Sequence, residues 1–163
     1  MGMVKKWKIA PFINTSTTDN PTWTRIKKST AFDLTMNGET QEYDYINDES
    51  PTVELLRYAP SLSQSLTMYT EEEDYKFFFD KFYNLSVGSD AKSEMLLVFF
   101  QEGNNAEGYK AWKTDCVVTI SDLNSVDSTI SFDVNFNGTI AKGTVKVDED
   151  GVPSFTPAST SGD

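Results

Sequence analysis

The chain has 163 residues, 14 Lys and Arg against 25 Asp and Glu, a net charge of −11 and no histidine. That length predicts one domain with a sizeable core, and aromatics at 13%, spread along the chain, argue against disorder. The missing histidine excludes Ser-His-Asp and Cys-His nucleophiles, and the acid excess argues against a tight, non-specific grip on DNA phosphates.

In chain order, Met3 to Ile13 carries Trp7, Ile9, Phe12 and Ile13 with Pro11 interrupting, a short first strand or arm. No apolar run follows the N-terminus, so no signal peptide is expected. Lys6 stands where the myristoylation motif needs Ser or Thr. Asn14 to Pro21 reads as a loop. Trp23 to Met36 reads as extended, with Phe32, Leu34 and Met36 alternating. Asn37-Gly38 is a hairpin signal, and the return strand holds Tyr43, Tyr45 and Ile46. A two-residue turn would set Asp33 against Glu42, a like-charge pair; a longer loop through Thr40 is equally compatible. Asn47 to Pro51 breaks the pattern, and Val53 to Tyr58 and Ser61 to Tyr69 are two more extended runs.

Thr70 to Leu85, TEEEDYKFFFDKFYNL, is the one long helical pattern. Thr70 and Glu73 have the capping-box spacing, and the acids from Glu71 to Asp74 suit the positive end of the helix dipole. Tyr75, Phe78, Phe79 and Phe82 fall at i, i+3, i+4 and i+7, one apolar stripe. Glu94 to Gln101, EMLLVFFQ, is apolar on both faces, a strand covered on both sides. The helix is expected on one of them.

Gly103 to Gly108 is a polar loop, and Tyr109 to Ser121 a long strand with Trp112, Thr114, Cys116, Val118 and Ile120 on one face. Cys116, the only cysteine, is expected as a buried thiol rather than a reactive one. Ser128 to Asn137 puts Ile130, Phe132, Val134 and Phe136 on one face. Asn137-Gly138 then predicts a type I′ hairpin pairing Val134 with Ala141, Phe132 with Gly143 and Ile130 with Val145. The opposite face would pair Asp133 with Lys142. Asp148 to Gly151 is a turn. The predicted organisation is a single domain over 1–155 and a flexible tail over 156–163. The class is mainly β: an antiparallel sandwich or barrel with one flanking helix over about 71–85.

Motifs for chemistry are absent. There is no Gly-rich phosphate loop, no GxSxG and no Cys or His cluster. Asp44 to Glu49 resembles a calcium loop only in composition, because the Gly needed at its sixth position is missing. No catalytic residue, metal or cofactor is expected. One stretch stands out: Tyr43, Asp44, Tyr45, Ile46, Asn47, Asp48 and Glu49 join acids to large apolar side chains. Either they form the end of a hairpin, or they dock onto another surface.

STAFDL at Ser29 to Leu34, EYDYINDESPTVELLRYAPSLSQSLTMY at Glu42 to Tyr69 and the helix segment resemble, in that order, the tail tube (major tail) proteins of tailed bacteriophages and phage-like particles of Gram-positive bacteria. DLNSVDSTISFDVNFNGTIAKGTV, Asp122 to Val145, fits that family's closing hairpin, and the resemblance runs from about Trp7 to Phe155. It implies the phage tail-tube fold, with six subunits in a ring and rings stacked into a hollow conduit for genomic DNA. It implies an inter-subunit loop over about Asn37 to Thr52, including Tyr43 to Glu49. Implied partners are other copies, tape measure, baseplate or tail-tip and terminator proteins, and a sheath if the tail is contractile. Double-stranded DNA would pass without specific binding. The implied location is the virion tail, and the host cytoplasm during assembly. The alternative is a non-catalytic β-sandwich module binding carbohydrate or a host surface through exposed Trp7, Trp23 or Trp112. An enzyme rests only on the abundance of carboxylates.

Overall fold

Residues 2–16, 21–47 and 49–158 are described in the computed structural model of the chain. The strands are β1 (Ile9–Asn14), β2 (Trp23–Arg25), β3 (Ser29–Thr35), β4 (Gly38–Tyr43), β5 (Thr52–Tyr58), β6 (Ser61–Thr67), β7 (Lys92–Asn104), β8 (Gly108–Asn124), β9 (Thr129–Val147) and β10 (Pro153–Pro157). The single α-helix, α1, is Glu73–Tyr83. Eight strands form one antiparallel sheet in the order β2-β1-β7-β8-β9-β6-β3, with β10 beside the second half of β9. Among the described residues its two ends, β2 and β3, do not pair with each other, so the sheet does not close into a barrel. The mainly β, sandwich-like class with one flanking helix is what the patterning predicts.

Side-chain alternation splits the interior into two cores. In β1 and β7, Ile13 and Met95 enter one cluster, while Ala10, Phe12, Leu96 and Val98 enter the other. Registers agree: Ile13 lies opposite Met95, Phe12 opposite Leu96 and Ala10 opposite Val98. The two clusters therefore lie on opposite faces of the sheet, which is why β7 is apolar on both. Helix α1 closes the first. Phe78 is fully buried and stacks on Phe132 of β9, ring centroids 3.7 Å apart. Phe155 of β10, Trp23 and Phe100 pack on the second cluster.

The helix differs from its expected form in two respects. It begins at Glu73, after Glu72, and no side chain caps it, so Thr70 is not the cap. Asp74 serves another end: its buried carboxylate accepts hydrogen bonds from the backbone N–H of Lys27 (3.0 Å) and of Tyr75 (2.8 Å). The acid joins α1 to the segment between β2 and β3. The apolar stripe is also narrower than its periodicity suggests. Phe78 is its fully buried member, and Phe79, Phe82 and Tyr83 remain exposed.

Two hairpins expected from Asn-Gly do not form. At Asn137-Gly138 the chain runs straight on, and β9 is one 19-residue strand. Val134 lies opposite Leu62 and Val118, not Ala141, and Asp133 lies opposite Ser63 and Thr119, not Lys142. Gly143 lies opposite Ala111 and Pro157, not Phe132, while Ile130 lies opposite Leu66 and Leu123 and Val145 opposite Tyr109 and Phe155. The Asn-Gly chemistry is spent on an irregularity. Lys113 opposes Ala141 but Asp115 opposes Asn137, so β9 carries extra residues there, and Gly138 takes φ +77°. At Asn37-Gly38, β3 does not fold back onto β4. It pairs with β6, Leu34 opposite Leu62, and β4 pairs with β5. Asn37, at φ +49°, turns the chain out of the sheet. At the C-terminus, β10 extends through Pro157, past the predicted boundary at 155, and residues 159–163 of the predicted tail lie outside the described residues.

Candidate assembly surface

The segment between β3 and β6 leaves the sheet as a two-stranded ribbon. Its base is tied where the backbone N–H of Ala59 donates to the Met36 carbonyl at 3.1 Å. Asn37 Nδ2 donates to the Ala59 carbonyl (3.0 Å) and the Ser61 hydroxyl (3.1 Å). Beyond that base all of β5, and all of β4 but Tyr43, are exposed.

The register assigns the ribbon's faces. Thr40 lies opposite Leu55, Glu42 opposite Val53 and Gly38 opposite Tyr58. These alternate with Glu39 opposite Arg57, Gln41 opposite Glu54 and Tyr43 opposite Thr52. Val53, Leu55 and Tyr58 thus make an apolar stripe on one face, all exposed. The other face is polar, and there the Arg57 guanidinium holds the Glu39 carboxyl below the usual carboxylate range by hydrogen bonding. A bare two-stranded ribbon is marginally stable in water.

The sequence-predicted contact residues lie at its tip. Tyr43 ends β4, and its ring stacks on Tyr45 with centroids 5.7 Å apart. Tyr45 is 55% exposed and Ile46 100%. Asp44, Asn47 and Glu49 are exposed around them, and Asp48 lies outside the described residues. The segment is the end of a hairpin, though of β4 with β5 and not of β3 with β4. Sequence reasoning missed the apolar stripe below the tip. The signal was present in the alternation of Val53 and Leu55, but it looks the same as that of a core strand.

A second exposed apolar patch runs off the end of α1 through Phe79, Phe82, Tyr83, Leu85 and Val87. A groove of about 420 Å³ opens over the second core between Trp23, Phe100 and Val147, rimmed by Arg25, Lys27 and Glu73. Among the described residues no group of three or more Cys, Asp or Glu could hold a metal ion. The three tryptophans do not share a platform. Trp7 is exposed, Trp23 packs on the second core, and Trp112 meets the Phe99 ring edge-on at 5.5 Å. Cys116 is buried, and desolvation pushes its thiol up to about 12, as a packing residue requires.

No protein-family model matches the chain, and no curated protein does. Solved structures do. A chain from the tail of an empty GTA particle, refined helically with C6 symmetry, superposes with a TM-score of 0.61 at 11% identity, over 85% of this chain and 98% of that one. This protein has the same fold. The PVC sheath/tube terminator of an extracellular contractile injection system, in its extended state, superposes with a TM-score of 0.52 at 7% identity, over 87% and 97%. The tube-terminating cap of the anti-feeding prophage gives 0.52 at 8%, over 88% and 93%. At these identities the likeness is one of fold.

Proposed function

We propose that this protein is a structural subunit of a phage-type tail tube, forming six-membered rings that stack into a hollow conduit for double-stranded DNA. The observation that carries the reading is the ribbon of residues 38–58. It is an amphipathic arm that the chain itself leaves uncovered, on a fold shared with a chain from a C6-symmetric tail. The sheet edges β2 and β3, open among the described residues, support the same reading, because exposed edges are a hazard that closure by neighbours removes. The acid excess suits a conduit, since a lumen lined with Lys and Arg would hold phosphates and stall passage.

Tyr43, Asp44, Tyr45, Ile46, Asn47, Asp48 and Glu49 make the contact between subunits or rings. Other partners are the proteins that end and measure such tubes: terminator, baseplate or tail-tip and tape measure, and a sheath where the tail contracts. Subunits gather in the host cytoplasm and finish in the virion tail. No step of this role needs a catalytic group or cofactor.

Negative-stain microscopy of concentrated protein tests the proposal. Rings or tubes with six-fold symmetry are expected. Tyr45→Ala with Ile46→Ala should reduce assembly and leave the melting temperature of the monomer within a few degrees, as exposed sites do. A protein that never associates, or a double variant that unfolds, counts against the assignment.

A further inference from the structure

The face of β7, β8 and β9 that carries the first core continues past the reach of α1, and there it becomes basic. The strand registers place its members together. Leu97 lies opposite Trp112, and Trp112 opposite Lys142; Phe99 lies opposite Lys110, and Lys110 opposite Thr144. Lys146, two residues beyond Thr144, points the same way. Lys110, Lys142 and Lys146 are exposed around half-buried Phe99 and Trp112. Among the described residues none of the three lysines forms an ion pair. Three like charges on adjacent strands repel one another. In a chain of net charge −11 such a patch is out of character.

The ribbon is its complement. Between residues 38 and 58 the described acids are Glu39, Glu42, Asp44, Glu49 and Glu54, and the only cation, Arg57, is occupied by Glu39. Glu42 shares the ribbon's apolar face with Val53, Leu55 and Tyr58. The ribbon's apolar face therefore offers apolar groups beside the Glu42 carboxylate, and the strip offers aromatic groups flanked by ammonium groups. We infer that the strip of Lys110, Trp112, Lys142 and Lys146 is the seat for the apolar face of the β4–β5 ribbon of a second copy. The contact is head-to-tail, since the two surfaces differ, and so it can propagate from copy to copy. Complementary charge sets its register and speeds encounter, while the apolar groups supply the burial. This inference rests on the assembly reading and names the surface on which the arm lands.

A charge-exchange experiment on the full chain tests it, with sedimentation velocity as the readout. One variant carries Lys142→Glu and Lys146→Glu; the other carries Glu42→Lys, on the ribbon's apolar face. All three sites are exposed, so thermal melts should match wild type. Each variant alone presents like charge to like and should associate at least about tenfold more weakly than wild type. Mixing the two should restore association, because the acidic ribbon of the first meets the basic strip of the second and the basic ribbon of the second meets the acidic strip of the first. Carbodiimide cross-linking of wild type should join Lys142 or Lys146 of one copy to Glu42 of another. Wild-type association that survives both reversals, or a mixture that fails to recover, removes this seat and leaves the assembly reading standing. A short DNA duplex that binds wild type and is released by the lysine reversals would give the strip to nucleic acid instead. Wild type that stays monomeric at every concentration removes both readings together.

Discussion

Phe78 and Asp74 lie four residues apart and hold α1 by different physics. Phe78 fills the first core against Phe132, and Phe78→Ala should cost about 3–5 kcal/mol in urea unfolding, the range for a buried aromatic that leaves a cavity. Phe79→Ala and Tyr83→Ala, on the exposed side, should stay within about 0.5 kcal/mol. Asp74→Ala leaves the Lys27 N–H without its acceptor and should cost about 1–3 kcal/mol. Its effect depends on pH in a definite sense. Burial raises the Asp74 carboxyl above its ordinary value of 3.8, in opposition to its two backbone hydrogen bonds. The folded state therefore holds this proton more tightly than the unfolded chain. Whatever stability the proton linkage adds is complete below the ordinary value and is lost as pH rises through the folded one. The gap between wild type and Asp74→Ala in urea melts should narrow as pH rises through that window. A gap that widens would mean the hydrogen bonds outweigh the desolvation. At Gly143 a Cβ would fall 2.2 Å from the Thr156 carbonyl oxygen and 2.8 Å from the Phe155 ring. Gly143→Ala should therefore release β10, seen as faster proteolysis after Val152.

At the level of elements, the ribbon is an addition to the sheet and not a part of it. Thr35 already lies opposite Ser61, and Ala59 is bonded to Met36. Replacing residues 38–58 by one glycine should close β3 onto β6 as a short hairpin, keep the melting temperature within a few degrees, and abolish assembly. Unfolding would show the ribbon to be structural. The same region marks how far elements can be read without coordinates. Helix α1 was legible because Tyr75, Phe78, Phe79 and Phe82 keep one period, and β7 because Met95 to Val98 is apolar on both sides. The turns were not. Asn-Gly states that a residue with positive φ is easy there, and a turn, a bulge and an exit from a sheet all use that property. At Asn137-Gly138 the facing of Phe132 with Gly143 looked like complementary packing. Gly143 is small for another reason, the passage of Phe155 across it. Long-range pairing decides such cases: β8 pairs with β9 on both sides of Asn137-Gly138 and favours continuing the strand over turning it. The tip residues Tyr43 to Glu49 were found because acids and aromatics rarely share a free loop; Val53, Leu55 and Tyr58 were not, because their alternation is that of any half-buried strand.

Taken as a whole, the molecule divides into a part that is finished and a part that is not. The finished part is the pair of cores, the first closed by α1 and the second packed by Phe155 of β10, Trp23 and Phe100. The unfinished part is the ribbon, the exposed flank of α1, the basic strip and the edges β2 and β3. Hydrogen exchange separates the two directly, since amides exchange through local opening and the free energy of opening differs by region. In the free subunit, amides of β4 and β5 should exchange fastest among the strands, because their pairing has no buried face behind it. Those of Leu96 to Val98 and Val118 should exchange slowest. On assembly, protection should rise in residues 38–58, on the outer edge of β3 and around Trp112 and Lys142, and should stay unchanged at Met95 and Phe132. The pattern matters more than the amount. Protection gained uniformly would indicate stabilisation of the whole subunit by mass action, whereas protection confined to the ribbon, the strip and the β3 edge marks the surfaces that assembly covers. A ribbon that keeps exchanging at its free rate inside an assembled particle could not be the arm that holds the particle together.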